Sequence, residues 1–154
     1  IKYIIAGEGP EKKILERMVL DNNLSKNIIF VGKVNNSQKK FIFEKTDLMI
    51  MPTIDKSEEN SIEGFGIAYL EAAFFSIPSI ASNVGGTSEA VINDLTGIII
   101  DNIDALYDAI LNLLDNNSKK IRFGKAAKER ALRDFNWKTI TENHLSILKK
   151  NHII

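Results

Sequence analysis

Short apolar runs alternate with amphipathic stretches over the first hundred residues, and that alternation predicts a β-α repeat. Residues 2–6 read as a short buried strand, and Gly7-Glu8-Gly9-Pro10 turns it into a helix whose apolar stripe is Ile14, Leu15, Met18 and Val19. Residues 28–31 form a second strand and 32–36 its exit loop, and residues 37–45 form a short helix expected to bury Phe41 and Ile42. A third strand over 47–51 is ended by Pro52, and a polar loop over 53–62 carries Asp55, Glu58 and Glu59. A helix over 66–75, a strand over 79–81 after Pro78, a helix over 87–92 and a strand over 97–100 complete the repeat. Beyond Asp101 the spacing turns helical: Ile103, Leu106, Ile110 and Leu113 recur on one face, as do Trp137, Ile140, His144 and Ile147. Ser118 is positioned to cap a helix running to Asp134, and Asn136 to cap the last one. Strands separated by helices predict an α/β fold, a Rossmann-like parallel sheet with helices on both faces. Such sheets bind ligands at the carboxyl ends of their strands.

The 154 residues, 44% of them hydrophobic, suit one α/β core and are expected to form a single domain, residues 1–154. Lys plus Arg and Asp plus Glu both number 20, so no bulk field draws nucleic acid, and none is expected as a partner. Cysteine is absent, which removes thiolate chemistry and suits a cytoplasmic setting. The two histidines cannot build a His-rich metal site, and no metal ligands are assigned. No apolar run reaches a membrane-spanning length, although association with a membrane through other parts of a longer protein stays open. The chain starts at Ile1 directly in an apolar strand pattern, which leads us to expect a piece of a longer protein.

The densest candidate chemistry lies between Glu63 and Glu89. It comprises Glu63-Gly64-Phe65-Gly66-Ile67, then Glu71-Ala72-Ala73, then Gly85-Gly86-Thr87-Ser88-Glu89. Gly64 and Gly66 remove side chains where a helix starts, so backbone N–H groups can approach an anion and the helix dipole favours it. Glu71 lies about one and a half helical turns further on, where its side chain can tilt back toward the helix start. Glu63 precedes the turn, so two carboxylates can flank one ligand. On spacing alone a dipole-serving carboxylate is as good a reading of Glu71, and a plain loop acid is the ordinary reading of Glu63.

The spacing Glu63-x7-Glu71, with Gly-Phe-Gly after the first Glu and Glu-Ala-Ala at the second, resembles the E-x7-E motif of retaining family 4 (group 1) glycosyltransferases of the GT-B architecture. Ala6-Gly7-Glu8-Gly9-Pro10, Ile29-Phe30-Val31-Gly32-Lys33-Val34, Asp47-Leu48-Met49-Ile50-Met51-Pro52, and Gly85-Gly86 with Glu89 match that family's nucleotide-sugar domain in order. The resemblance implies the C-terminal, donor-binding half of a GT-B fold. It also implies transfer of a sugar from a UDP- or GDP-type nucleotide-diphosphate-sugar to a hydroxyl acceptor, in surface polysaccharide or glycan synthesis, with no metal ion or other cofactor. Glu71 would hold the ribose hydroxyls, and Glu63 would act catalytically by positioning the donor sugar and stabilising charge at the anomeric carbon. Phe65, Gly66 and Ile67 would offer backbone N–H groups to sugar and diphosphate. Gly7 and Gly9, with Val31, Gly32, Lys33 and Val34, would belong to the donor-binding rim, the latter four edging the nucleobase. A glycan or lipid-linked acceptor would be bound by an N-terminal domain lying upstream of Ile1, so these residues alone are expected to bind donor without turnover.

Other readings of the same residues are a plain strand-to-helix turn at Gly7 and Gly9, a non-catalytic nucleotide-binding module completed by a partner subunit, and a flavodoxin-like regulatory domain. Dinucleotide binding fails because the third glycine of G-x-G-x-x-G is replaced by Lys12. The acids after the strands do not cluster as a phosphoacceptor site requires. Three features depart from the family pattern: Ser76 stands where most members have glycine, the loop over 53–62 is long, and the Arg and Lys that neutralise the donor diphosphate would lie before Ile1. His144 on its apolar stripe is assigned no role.

Overall fold

The computed structural model describes residues 1–54 and 64–151, which fall into two compact units, Ile1–Glu44 and Lys45–Ile154. In the first unit, β1 (Tyr3–Ala6) is followed by α1 (Lys12–Asp21), β2 (Ile28–Gly32) and α2 (Asn36–Phe43). β1 and β2 pair in parallel from Tyr3 opposite Ile28, with a register shift between Ile5 and Ala6 that sets Ala6 opposite Gly32. Asn35 caps α2 in a reciprocal box: its side chain accepts from the Gln38 N–H, and the Gln38 side chain accepts from the Asn35 N–H. Phe41, expected to be buried, is 63% exposed. The half-buried positions of α2 are Lys39, Ile42 and Phe43, a stripe at i, i+3 and i+4 that leaves Phe41 off its face.

The second unit holds β3 (Met49–Met51), α3 (Ile67–Phe74), β4 (Ser79–Ser82), α4 (Thr87–Ala90) and β5 (Gly97–Ile100). A 3-10 turn (Ile103–Ala105) then leads into α5 (Leu106–Asp115), α6 (Asn117–Asp134) and α7 (Trp137–Lys150). Its sheet is parallel in the order β3-β4-β5. β4, paired on both sides, is buried along its whole length, as a central parallel strand should be. Alternation along the strands divides the core. Ile80 and Ile100 pack with Ala109 and Leu113 of α5 and Phe123 of α6 on one face, whereas Ala81 packs with Tyr69 of α3 and Ala90 and Val91 beside α4 on the other. Helices thus cover both faces, as the β-α alternation predicts. α3 meets α6 through small residues, Ala73 against Ala127 and Ala131.

Among the described residues the five strands pair in parallel as two sheets, of two and three strands. Boundaries and caps differ in detail from the sequence expectation. β3 starts at Met49, where pairing with β4 begins opposite Ser79, and Asp47 before it makes an ion pair with Lys120 at 2.8 Å. The cap of α6 is Asn116, whose side chain accepts from the Lys119 N–H at 2.9 Å, and Ser118 lies inside the helix. Asn136 caps α7 as expected, accepting from the Thr139 N–H at 2.9 Å. The stripe of α7 is largely outside any core of the described residues, with Trp137 85% exposed.

Candidate functional site

In the second unit the site is built at the carboxyl edge of the parallel strands. The chain enters α3 through Gly66, which has φ 79° and ψ 61° and is the residue before the first helical turn. That left-handed conformation suits glycine, which also has no side chain to cover the helix start. A Cβ there would fall 2.6 Å from the Tyr69 ring. Tyr69 is 2% exposed, and its hydroxyl donates to the Met51 carbonyl at 2.5 Å, tying the end of β3 to the start of α3. Ile67 opens the helix 69% exposed, Gly64 is exposed and Gly66 between them is buried. Glu71 stands half buried in the second turn. Glu63, the loop acids Asp55, Glu58 and Glu59, and most of the loop over 53–62 lie outside the described residues.

The turn after β4 packs directly on this entry. A Cβ on Gly86 would lie 2.0 Å from the Gly64 carbonyl oxygen and 3.5 Å from Phe65 Cα, so the two backbones are in contact. Thr87, fully buried, holds that turn: its hydroxyl donates to the Ser82 carbonyl at 2.5 Å and stands 2.9 Å from that of Val84. The Phe65 ring packs on Phe135 at 5.5 Å between centroids, tilted by 58°. The Phe135 ring in turn lies 4.8 Å from the Arg130 guanidinium. The structure therefore brings residues 64–67, Gly85-Gly86 and Glu71 onto connected elements of one unit. Tyr69 and Thr87 fall within the candidate stretch between Glu63 and Glu89 but had no role assigned by sequence, and only packing reveals Arg130 and Phe135.

In the first unit, the Gly7 N–H donates to the Gly32 carbonyl at 2.8 Å, which joins the turn after β1 to the end of β2. Glu8 folds over this junction, with Oε1 2.6 Å from where a Gly32 Cβ would be, and pairs with Lys12 at 3.0 Å. The hydrogen bond to Glu8 raises the Lys12 pKa above its ordinary value. Gly7, Gly9, Val31 and Lys33 are exposed around this junction, Val34 is half buried and Gly32 is buried.

His144 is exposed, with Nδ1 2.8 Å from the Ile140 carbonyl one turn back. Among the described residues, no group of three or more His, Asp or Glu side chains is placed to hold a metal ion, and no helix is long and apolar enough to cross a membrane.

Residues 1–130 match the family described as Glycosyl transferases group 1. The chain is 28% identical over 148 residues to a GDP-mannose-dependent alpha-(1-6)-phosphatidylinositol monomannoside mannosyltransferase of Mycobacterium tuberculosis, covering 95% of this chain and 38% of that protein. Sucrose-phosphate synthase from Thermosynechococcus elongatus superposes with a TM-score of 0.80 at 25% identity, over 97% of this chain and 38% of that one. The C-terminal domain of a glycosyl transferase group 1 family protein from Francisella tularensis superposes with a TM-score of 0.74 at 21% identity, over 88% of this chain and 70% of that one. The chain therefore spans little more than a third of the length of the mannosyltransferase it matches. With its parallel strands, its helices on both faces and its family match over most of its length, the chain belongs to the group 1 glycosyl transferases and corresponds to the C-terminal region of their GT-B fold.

Proposed function

We propose that this chain is the donor-binding domain of a retaining glycosyltransferase, taking a hexosyl nucleotide of the UDP or GDP type and serving transfer to a hydroxyl acceptor in glycan or polysaccharide synthesis. The observation that carries the reading is the glycine-led start of α3, where Gly66 takes a left-handed conformation between exposed Gly64 and exposed Ile67, with Glu71 in the next turn, after the end of a strand of a parallel sheet. The family match and a GDP-mannose-dependent relative support it.

In this reading the backbone N–H groups of Phe65, Gly66 and Ile67 meet the sugar and diphosphate, and the Glu71 carboxylate accepts hydrogen bonds from the ribose hydroxyls. Glu63 positions the donor sugar and stabilises charge at the anomeric carbon. In the first unit, Gly7 and Gly9 with Val31, Gly32, Lys33 and Val34 serve the donor-binding rim, the last four edging the nucleobase. The departing diphosphate gathers charge as the glycosidic bond breaks, so fixed N–H dipoles and cationic side chains lower the barrier, and no metal ion is required. A glycan or lipid-linked acceptor is held by a further domain, at the cytoplasmic side of the cell.

Ligand-observed NMR with UDP, GDP, ADP and their common sugar conjugates, with Glu71→Ala as control, tests the proposal on the protein as encoded in full. One nucleotide class should bind, Glu71→Ala should lose it, and both binding and transfer should survive EDTA. Absence of binding at millimolar ligand, or equal binding by Glu71→Ala, would overturn it.

A further inference from the structure

Arg130, on α6, is 17% exposed at its side chain and spends its guanidinium on two separate structures. Nη1 donates to the Ala90 carbonyl at 2.8 Å and Nη2 to the Glu89 carbonyl at 2.5 Å, at the end of α4. The same group lies 4.8 Å from the Phe135 ring centroid, with Nε 3.7 Å from the Asp134 carboxylate. Each contact leads to residues 64–66 by a different route. Phe135 packs on the Phe65 ring, and α4 is preceded by Gly86, where a Cβ would lie 2.0 Å from the Gly64 carbonyl oxygen. The contacts close a ring: Phe65, Phe135, Arg130, the α4 carbonyls, Gly86, Gly64.

Burial of a cation is costly unless its donors are used, and here they are used on carbonyls that no helical N–H follows to satisfy. A planar guanidinium can hold two carbonyls and stack on a ring at once, which a lysine ammonium cannot. We propose that Arg130 is a positioning residue for donor binding, holding α4 and Phe135 together so that residues 64–66 keep the backbone geometry that a nucleotide-sugar meets. The inference rests on the donor-binding reading above and adds a residue well outside the E-x7-E stretch.

The test measures affinity for UDP-glucose and GDP-mannose, alongside melting temperature and the Phe65 ring proton shifts, in the protein as encoded in full. Arg130→Lys and Phe135→Leu should each weaken the bound donor by about tenfold, from the loss of charge-assisted and cation–π contacts. The double variant should be little worse than either alone, because both cut the same ring. Phe135→Tyr, which keeps the aromatic face, should keep affinity, and Arg133→Lys, on the exposed side of α6, should change nothing. The Phe65 ring shifts should move in Arg130→Lys although that residue does not touch Phe65. Unchanged affinity in both Arg130→Lys and Phe135→Leu, with a lower melting temperature, would make the ring a plain structural brace and overturn the inference alone. If the wild type binds neither donor nor any other nucleotide-sugar, the donor reading falls, and this one with it.

Discussion

The carbonyl oxygen of Gly64 occupies the space that any other residue at position 86 would need, 2.0 Å from where a Cβ on Gly86 would stand. Both partners are backbone, so neither can rotate away. Gly86→Ala is expected to push the 64–66 loop off α4, costing about 1–3 kcal/mol of stability as an overpacked contact does. Denaturant unfolding checks the stability, and donor titration should show weaker binding by the same variant.

Tyr69 joins β3 to α3 through one hydrogen bond from a fully buried ring. Tyr69→Phe leaves the ring in place and takes the hydroxyl donor from the Met51 carbonyl. A loss of about 0.5–1.5 kcal/mol follows, the net worth of one hydrogen bond to a part-buried acceptor. Chemical denaturation with an unchanged m-value would show that the fold itself survives.

The C-terminus of α3 closes in a Schellman motif with serine at the position that favours glycine. The Ser76 N–H donates to Ala73 at 2.9 Å, the Ile77 N–H to Ala72 at 3.2 Å, and Ser76 has φ 61°. Ser76→Gly should relieve about 1–2 kcal/mol of left-handed strain and return roughly half as unfolded-chain entropy. The net gain is about 0.5–1 kcal/mol, read as a raised melting temperature.

Asp134 accepts from Arg133 Nε at 2.6 Å and Nη2 at 2.8 Å, and this hydrogen bonding holds its carboxyl below the ordinary value. A depressed folded-state pKa contributes stability that is present above the unfolded value, about 3.9, and lost as the pH falls through the folded one. Carboxyl-carbon NMR should place the Asp134 midpoint below that of a free aspartate, and Arg133→Gln should move it back up. The pair is exposed, so global stability should scarcely respond.

Loss of the Phe123 ring probes the other face of the sheet. This fully buried side chain meets Ile80 and Ile100 beneath α5, and Phe123→Ala is expected to cost about 3–5 kcal/mol through transfer and cavity terms. Thermal unfolding measures it.

What the chain determined by itself is local. Apolar period 2 and period 3.6 mark the β-α order, Pro52 and Pro78 bracket β3 and β4, and Gly66 marks the start of α3, because backbone geometry makes those residues punctuation wherever they occur. The Glu63-x7-Glu71 spacing is likewise a local pattern of the chain, of which the described residues include Glu71 on α3. Contacts between elements distant in sequence were decided by tertiary structure. Asn116 rather than Ser118 caps α6, since a cap is set by the backbone conformation and both residues can serve it. Phe41 is exposed because the phase of a two-turn helix follows its packing rather than its most apolar residue. Arg130 and Phe135 look like ordinary members of a charged helix and its end. Only the packing of α6 brings them to α4 and Phe65, because desolvation and ring contacts depend on neighbours that sequence spacing does not specify.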